Sequence, residues 1–256
     1  MNDTNDLSVN VNACAELVQA GDADRFLSAM TGSPDERAVL FPLYAFNLEI
    51  ARAPFMSNEP MVGLVRLQFW RDVVEGKTTA AHDVAAPVVD LIARGQLSAP
   101  HLLMMIDARE SDIEGIGRQS AEAVSEYARG TSGAMMMASK GAADEKEALA
   151  LSDLGTASGL ANWLLSQPDL ARAGRGHIMP SDEMIAVLAD EGLRLLTNAR
   201  ENLPRKGTAA MRSAWRAKSV LTRAKTHPDL VRDGGLGGAD FARKGRLVWL
   251  GLTGGW

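Results

Sequence analysis

The sequence predicts an all-α fold, a single bundle of roughly eight to ten helices. Three observations carry this. Apolar residues recur at three- and four-residue spacing over long runs, as on a helix face. Prolines, serines and glycines stand at the ends of those runs, where helices start and stop. The turn dipeptides that join short strands into hairpins are scarce. With 256 residues and a 46% hydrophobic content, the chain can bury a sizeable core.

The elements follow in order. Residues 1–12, MNDTNDLSVNVN, are expected to be a disordered N-terminus. Residues 13–30 read as a helix interrupted near Gly21. Ser33, Pro34 and Glu36 form a helix start: the serine caps, the proline suits the first turn, and the glutamate reaches back. Leu40, Tyr44 and Leu48 then follow at four-residue spacing, and Pro54 must end this helix near Ala53. Pro60 opens the next, with a Val65, Phe69 and Val73 stripe, and Gly76 closes it. Further helices are predicted over 84–94, 99–127, 146–167 (ended by Pro168), 182–202 and 208–225. The helical domain is thus placed at 13–228, followed by a glycine-rich tail at 229–256.

Composition narrows the function classes. Net charge is 27 minus 32, or −5, without the basic surface usual for nucleic-acid binding. One cysteine, Cys14, permits no disulfide framework and fits a reducing, cytoplasmic setting. No run approaches the roughly 18 apolar residues that cross a membrane. The four histidines, His82, His101, His177 and His227, lie far apart with no HxxxH spacing, so no metal ligand set is expected of them. The GGLGG run at 234–238 lacks the strand and lysine of a phosphate loop and reads as linker.

Acidic pairs four apart put two carboxylates on one helix face, where Mg²⁺ and a phosphate could meet. The pairs are Glu110 with Glu114, Glu122 with Glu126, and Asp229 with Asp233. A solvated face paired with nearby arginines is the plainer account of each.

Five segments together carry a resemblance: DADRFLSAM, PDERAVLFPLYAFNLEIAR, VRLQFWRDVVEG, SEYARGTSGAMMMAS and LGTASGLANWLL…RAGRGHIMP. In order and spacing they resemble the squalene/phytoene synthase family of head-to-head prenyltransferases, over about residues 15 to 225. The resemblance implies an isoprenoid-synthase-like helical bundle around a central apolar cavity. It also implies two aspartate-rich segments holding Mg²⁺ against a diphosphate, whose departing charge the metal stabilises. Cavity or ligand-binding positions carried over are Phe46, Asn47, Arg66, Trp70, Tyr127, Gly133, Asn162 and Arg175.

The aspartate positions depart from the pattern. The first set falls on Ala51, Arg52, Ala53, Pro54 and Phe55. In the second, Asn162 is kept, but the expected Arg-Asp pair falls on Leu165 and Ser166 and the later acid on Leu170. Glu49 and Asp169 are the nearest acids left. This form resembles a branch of the family lacking the aspartates, typified by a mitochondrial complex I assembly factor and its bacterial relatives.

The expectation is therefore a non-catalytic protein without a metal cofactor. It would bind a prenyl or lipid ligand, or partner a membrane respiratory complex peripherally at the inner membrane. The alternative is a head-to-head prenyltransferase with a relocated Mg²⁺ site drawn from Glu49, Asp72, Asp107, Asp112 and Asp169. The tail, FARKGRLVWLGLTGGW, sets Arg243, Lys244 and Arg246 beside Trp249 and Leu252, which suits a membrane interface. It also suits a segment packed back on the bundle.

Overall fold

The computed structural model describes residues 3–78, 82–113, 118–141, 144–174, 177–238 and 240–256, without the side chains of 3–9 and 240–244. No strand occurs among them, and they form fourteen α-helical segments, several of them short. Helix α1 (Asp3–Gly21) begins ten residues before the predicted start at 13. Helices α2 (Ala23–Met30) and α3 (Pro34–Arg52) follow. The start of α3 is built as its sequence suggests. Glu36 N–H donates to Ser33 Oγ at 3.2 Å, and Ser33 N–H donates to Glu36 Oε2 at 2.9 Å. A 3₁₀ turn at Ala53–Phe55 closes α3 at its proline.

Helices α4 (Pro60–Val74), α5 (Ala85–Ala93) and α6 (Ala99–Ile113) come next. The single helix predicted over 99–127 is broken. Helix α7 (Ala121–Ala128) starts afresh at Ser120, whose Oγ accepts from Ala123 N–H at 3.2 Å. Its last turn passes into a π-helical stretch, Arg129–Gly133, and then α8 (Ala134–Ala138).

Helix α9 (Glu145–Ala173) runs through the centre and carries Pro168 inside it. Sequence reasoning ended it at that proline. Its missing N–H leaves the Leu164 carbonyl, four residues earlier, without its helical donor, while the neighbouring Trp163 carbonyl accepts from Ser166 Oγ and Gln167 Nε2, both at 2.8 Å. Gly174, at φ +74°, then stops the helix. Helix α10 (Asp182–Asn202) matches its prediction. The predicted 208–225 helix is two, α11 (Ala209–Arg212) and α12 (Ala217–Thr226). The glycine-rich tail carries α13 (Asp229–Arg232), a 3₁₀ turn at Gly235–Gly237 within the GGLGG run, and α14 (Asp240–Thr253).

Small residues let α9 sit close to its neighbours. A Cβ on Gly159 would lie 2.9 Å from Ser132 Cβ, and one on Gly133 would lie 2.8 Å from Thr156 Oγ1. The small-residue segment from Gly130 onward therefore serves helix approach. Cys14 is fully buried, and burial first, then Asp83, pushes its thiol up to about 12, so it packs as a small hydrophobe.

Candidate functional site: two adjoining cavities

A cavity of about 420 Å³ opens among α2, the end of α3, α6, α7, α9 and α12. Ala51 and Phe55 line it from the end of α3; Asn162, Ser166 and Leu170 line it from α9. These positions are spaced by four residues on each segment, so each set shares a helix face. Asn47 and Tyr127 stand on the same wall. The structure thus brings Ala51, Phe55, Ser166 and Leu170, from two segments distant in sequence, to one chamber.

The other carried-over positions lie elsewhere. Phe46 and Trp70 are core residues, their rings edge-on at 5.4 Å. Gly133 is a buried packing contact, and Arg66 is exposed on α4. Arg52 is exposed, close against Gly21. Arg175, Glu114 and the side chains of Arg243 and Lys244 lie outside the described residues.

The chamber is not simply apolar. Its wall carries Arg25, Arg109, Arg118 and Arg216 together with Asp22, Asp24 and Asp112. Arg25 pairs with Asp22, and Arg216 with Asp24. Asp112 is shared: Arg118 Nη2 lies 2.8 Å from Oδ1, Arg109 Nη1 lies 3.3 Å from Oδ2, and Tyr127 O–H donates to Oδ2 at 2.7 Å. The Arg118 guanidinium also stacks 3.3 Å from the Tyr127 ring centroid. Burial raises the Tyr127 hydroxyl to about 12, so it stays a neutral donor.

None of this cluster was singled out from the sequence as a site, apart from Tyr127 and Asp112. The signal was present in DADR and in the three-residue spacing of Arg109 and Asp112, but neither says that the two segments meet.

A second cavity, of about 300 Å³, adjoins the first and shares Phe55, Asp112, Arg118, Trp163 and Leu170 with it. Pro54, Ile113 and Ile178 extend its apolar side, and Glu59 and His177 also line it.

The scattered acids do not converge. Asp107 and Glu110 each lie 2.7 Å from Arg71, and Asp169 pairs with Arg172 on the surface. Glu49 is half-buried on α3, while Glu122, Glu126, Asp229 and Asp233 are exposed. No group of three His, Cys, Asp or Glu side chains gathers among the described residues in a way that could hold a metal ion.

The family model for squalene/phytoene synthase matches residues 18–242. The chain belongs to the squalene/phytoene synthase family. Among curated relatives of this family member is NADH dehydrogenase (ubiquinone) complex I, assembly factor 6 of Homo sapiens. It is 26% identical over 161 residues, 60% of this chain and 48% of that protein. The Rattus norvegicus counterpart is 27% identical over the same length. The chain spans about half the length of the curated relatives it matches.

Among solved structures, a dehydrosqualene synthase in complex with ligand aligns with a TM-score of 0.79 at 13% identity, covering 96% of each chain. Squalene synthase HpnC from Alicyclobacillus acidocaldarius aligns with a TM-score of 0.64 at 16% identity, covering 97% of this chain and 95% of that one. At those identities the likeness shows the fold.

Proposed function

We propose that this squalene/phytoene synthase family member is non-catalytic. It uses the fold as a lipid- or prenyl-binding accessory factor for a membrane respiratory complex. The observation that carries the reading is the cavity wall. Ala51, Phe55, Ser166 and Leu170 occupy the positions that the family resemblance assigns to metal-binding acids. A prenyl diphosphate ionises only if its leaving group is stabilised, and side chains that cannot ligate Mg²⁺ do not supply this. The acids suggested for a relocated site are dispersed and largely engaged by arginines. The curated relatives named as complex I assembly factors support the partner class.

Helix α14 supports a peripheral membrane position. Its inner side is docked: Leu247 is buried, Trp256 Nε1–H donates to the Pro204 carbonyl at 2.8 Å, and Gly207 N–H donates to Gly254 O at 2.9 Å. Its outer side exposes Val248, Trp249 and Leu252 at 60%, 66% and 81%. Leu252 stands four residues from Val248 and three from Trp249, so the three share one side of the helix. Arg246 on the helix, and Arg200, Arg205 and Lys206 near its C-terminal end, are exposed as well. Tryptophan and leucine flanked by cations match the chemistry of a headgroup region. No helix among the described residues is long and apolar enough to cross a membrane.

The test is affinity capture from native membranes with the full chain and with a Trp249→Glu/Leu252→Glu variant. Both substitutions fall on exposed positions, so the fold is expected to survive. The full chain should recover subunits of a respiratory complex, and the variant should lose membrane recovery. Failure to capture any membrane complex, together with unchanged respiration when the protein is deleted, contradicts the reading.

A further inference from the structure

We infer that the paired cavities hold a single-chain amphiphile with a monoanionic head, bound by arginine without a metal ion. The inference rests on the accessory-factor reading above and names the ligand class of the same chamber. Three observations combine.

First, charge. The 420 Å³ chamber shows four guanidiniums and three carboxylates among the described residues, an excess of one positive charge. Tyr127 adds none, being a neutral phenol. One added negative charge balances the chamber. A diphosphate brings more than one and needs cations that this wall has no carboxylate cluster to hold.

Second, reach. The side chains of Arg25, Arg109, Arg118 and Arg216 keep 14–16% exposure although they line an interior wall. Each pairs with an aspartate, so each is pre-oriented. Guanidinium groups bind carboxylates and phosphate oxygens through parallel N–H donors.

Third, shape. The neighbouring 300 Å³ cavity joins the charged chamber at Arg118 and Asp112; Glu59 and His177 make part of its lining polar, and an apolar strip runs from Phe55, Trp163 and Leu170 to Ile178. A head at Arg118 leaves an acyl or prenyl tail along this side. Cavities of this size suit one chain. Phe55 and Leu170 thus act as tail contacts in place of metal ligands.

Two sources share the head chemistry, a fatty carboxylate and a lysophospholipid phosphodiester. Purified full chain, stripped of bound lipid and kept in EDTA, is to be titrated below micelle-forming concentrations with myristate, with myristoyl lysophosphatidylglycerol and with zwitterionic myristoyl lysophosphatidylcholine. Thermal shift and calorimetry are the readouts, since a ligand of the native state raises its midpoint by mass action. Either or both monoanions should raise the melting midpoint and bind; which one does identifies the source. The zwitterion should bind on the order of tenfold more weakly or not at all, the scale of one charged hydrogen-bonded contact.

Arg118→Gln should weaken the monoanion by about the same factor. Because Arg118 also braces Asp112, Ser166→Glu serves as a second variant. It adds a negative charge to the wall without touching the ion pairs and should weaken the monoanion by at least that factor. Equal binding of zwitterion and monoanion, binding of farnesyl diphosphate only with added Mg²⁺, or no binding of either monoanion overturns the inference. A failed titration with a successful membrane capture would sink the ligand class alone. The reverse result would sink the partner reading alone.

Discussion

Replacing Asp112 by alanine is expected to cost about 3–5 kcal/mol of stability, the usual result of stripping the counter-charge from a buried pair. The Asp112 side chain is 8% exposed and answers to two guanidiniums and a phenol at once. Its loss leaves Arg109, 16% exposed, without a carboxylate partner and removes the acceptor of the Tyr127 hydroxyl. For a domain of this length each kcal/mol moves the melting midpoint by about 2–4 °C, so a fall of roughly 6–20 °C should appear in a thermal scan. Asp112→Asn keeps the shape but not the charge, and most of the loss should remain. Asp169→Ala is the control: its pair with Arg172 is 72% and 78% exposed, and screening should leave the midpoint unmoved. Equal midpoints for Asp112→Ala and Asp169→Ala would mean the cluster does not brace the cavity.

Gly155→Leu is expected to be about as damaging, costing about 3 kcal/mol or more, because overpacking here meets backbone. An added Cβ at Gly155 would collide with the Ser132 carbonyl oxygen and lie 2.8 Å from Gly133 Cα and Met136 Cβ. Main-chain atoms of a π-helical stretch cannot rotate aside as a side chain tip would. Even Gly155→Ala should cost about 1–2 kcal/mol. Gly245, in α14, gives the opposite sign. A Cβ there meets nothing within 4 Å among the described residues, so Gly245→Ala should leave stability unchanged or raise it by up to about 1 kcal/mol. Urea denaturation of the three variants reads both effects. A tolerated leucine at 155 would show that α9 and the π-helical stretch are not in close contact.

Much of the fold could be read from local chemistry. Ser33 with Glu36, Pro54 and Pro60 place their helix ends because capping and the missing proline N–H act over a few residues. Pro168 misled for the same reason. Its local effect is real, but α9 is gripped on several sides, and tertiary packing carried the helix on to Ala173. The break between α6 and α7, and that between α11 and α12, gave weak local signals and depend on how the helices pack.

The site was legible in part. Ala51, Phe55, Ser166 and Leu170 were located through family spacing, and the structure places them on one wall. Phe46 and Trp70, adjacent in pattern, turn into the core, because a helix buried on most sides does not reveal which face meets a cavity. The arginine-aspartate cluster joins segments up to 192 residues apart, as Asp24 and Arg216 are, and no local pattern predicts such a pairing. For the tail, the packing against the bundle is observed at Leu247 and Trp256, while Val248, Trp249 and Leu252 face outward and leave the membrane-interface reading to experiment.

The most direct test of the central claim, that this family member does not catalyse prenyl coupling, is diphosphate release. Purified protein is incubated with farnesyl and with geranylgeranyl diphosphate in Mg²⁺, and released diphosphate is measured against a protein-free control. With Ala51, Phe55, Ser166 and Leu170 on the cavity wall, release should not exceed the control. Sustained release with a coupled prenyl product, abolished by Glu49→Ala, would contradict the account and show that a relocated metal site works.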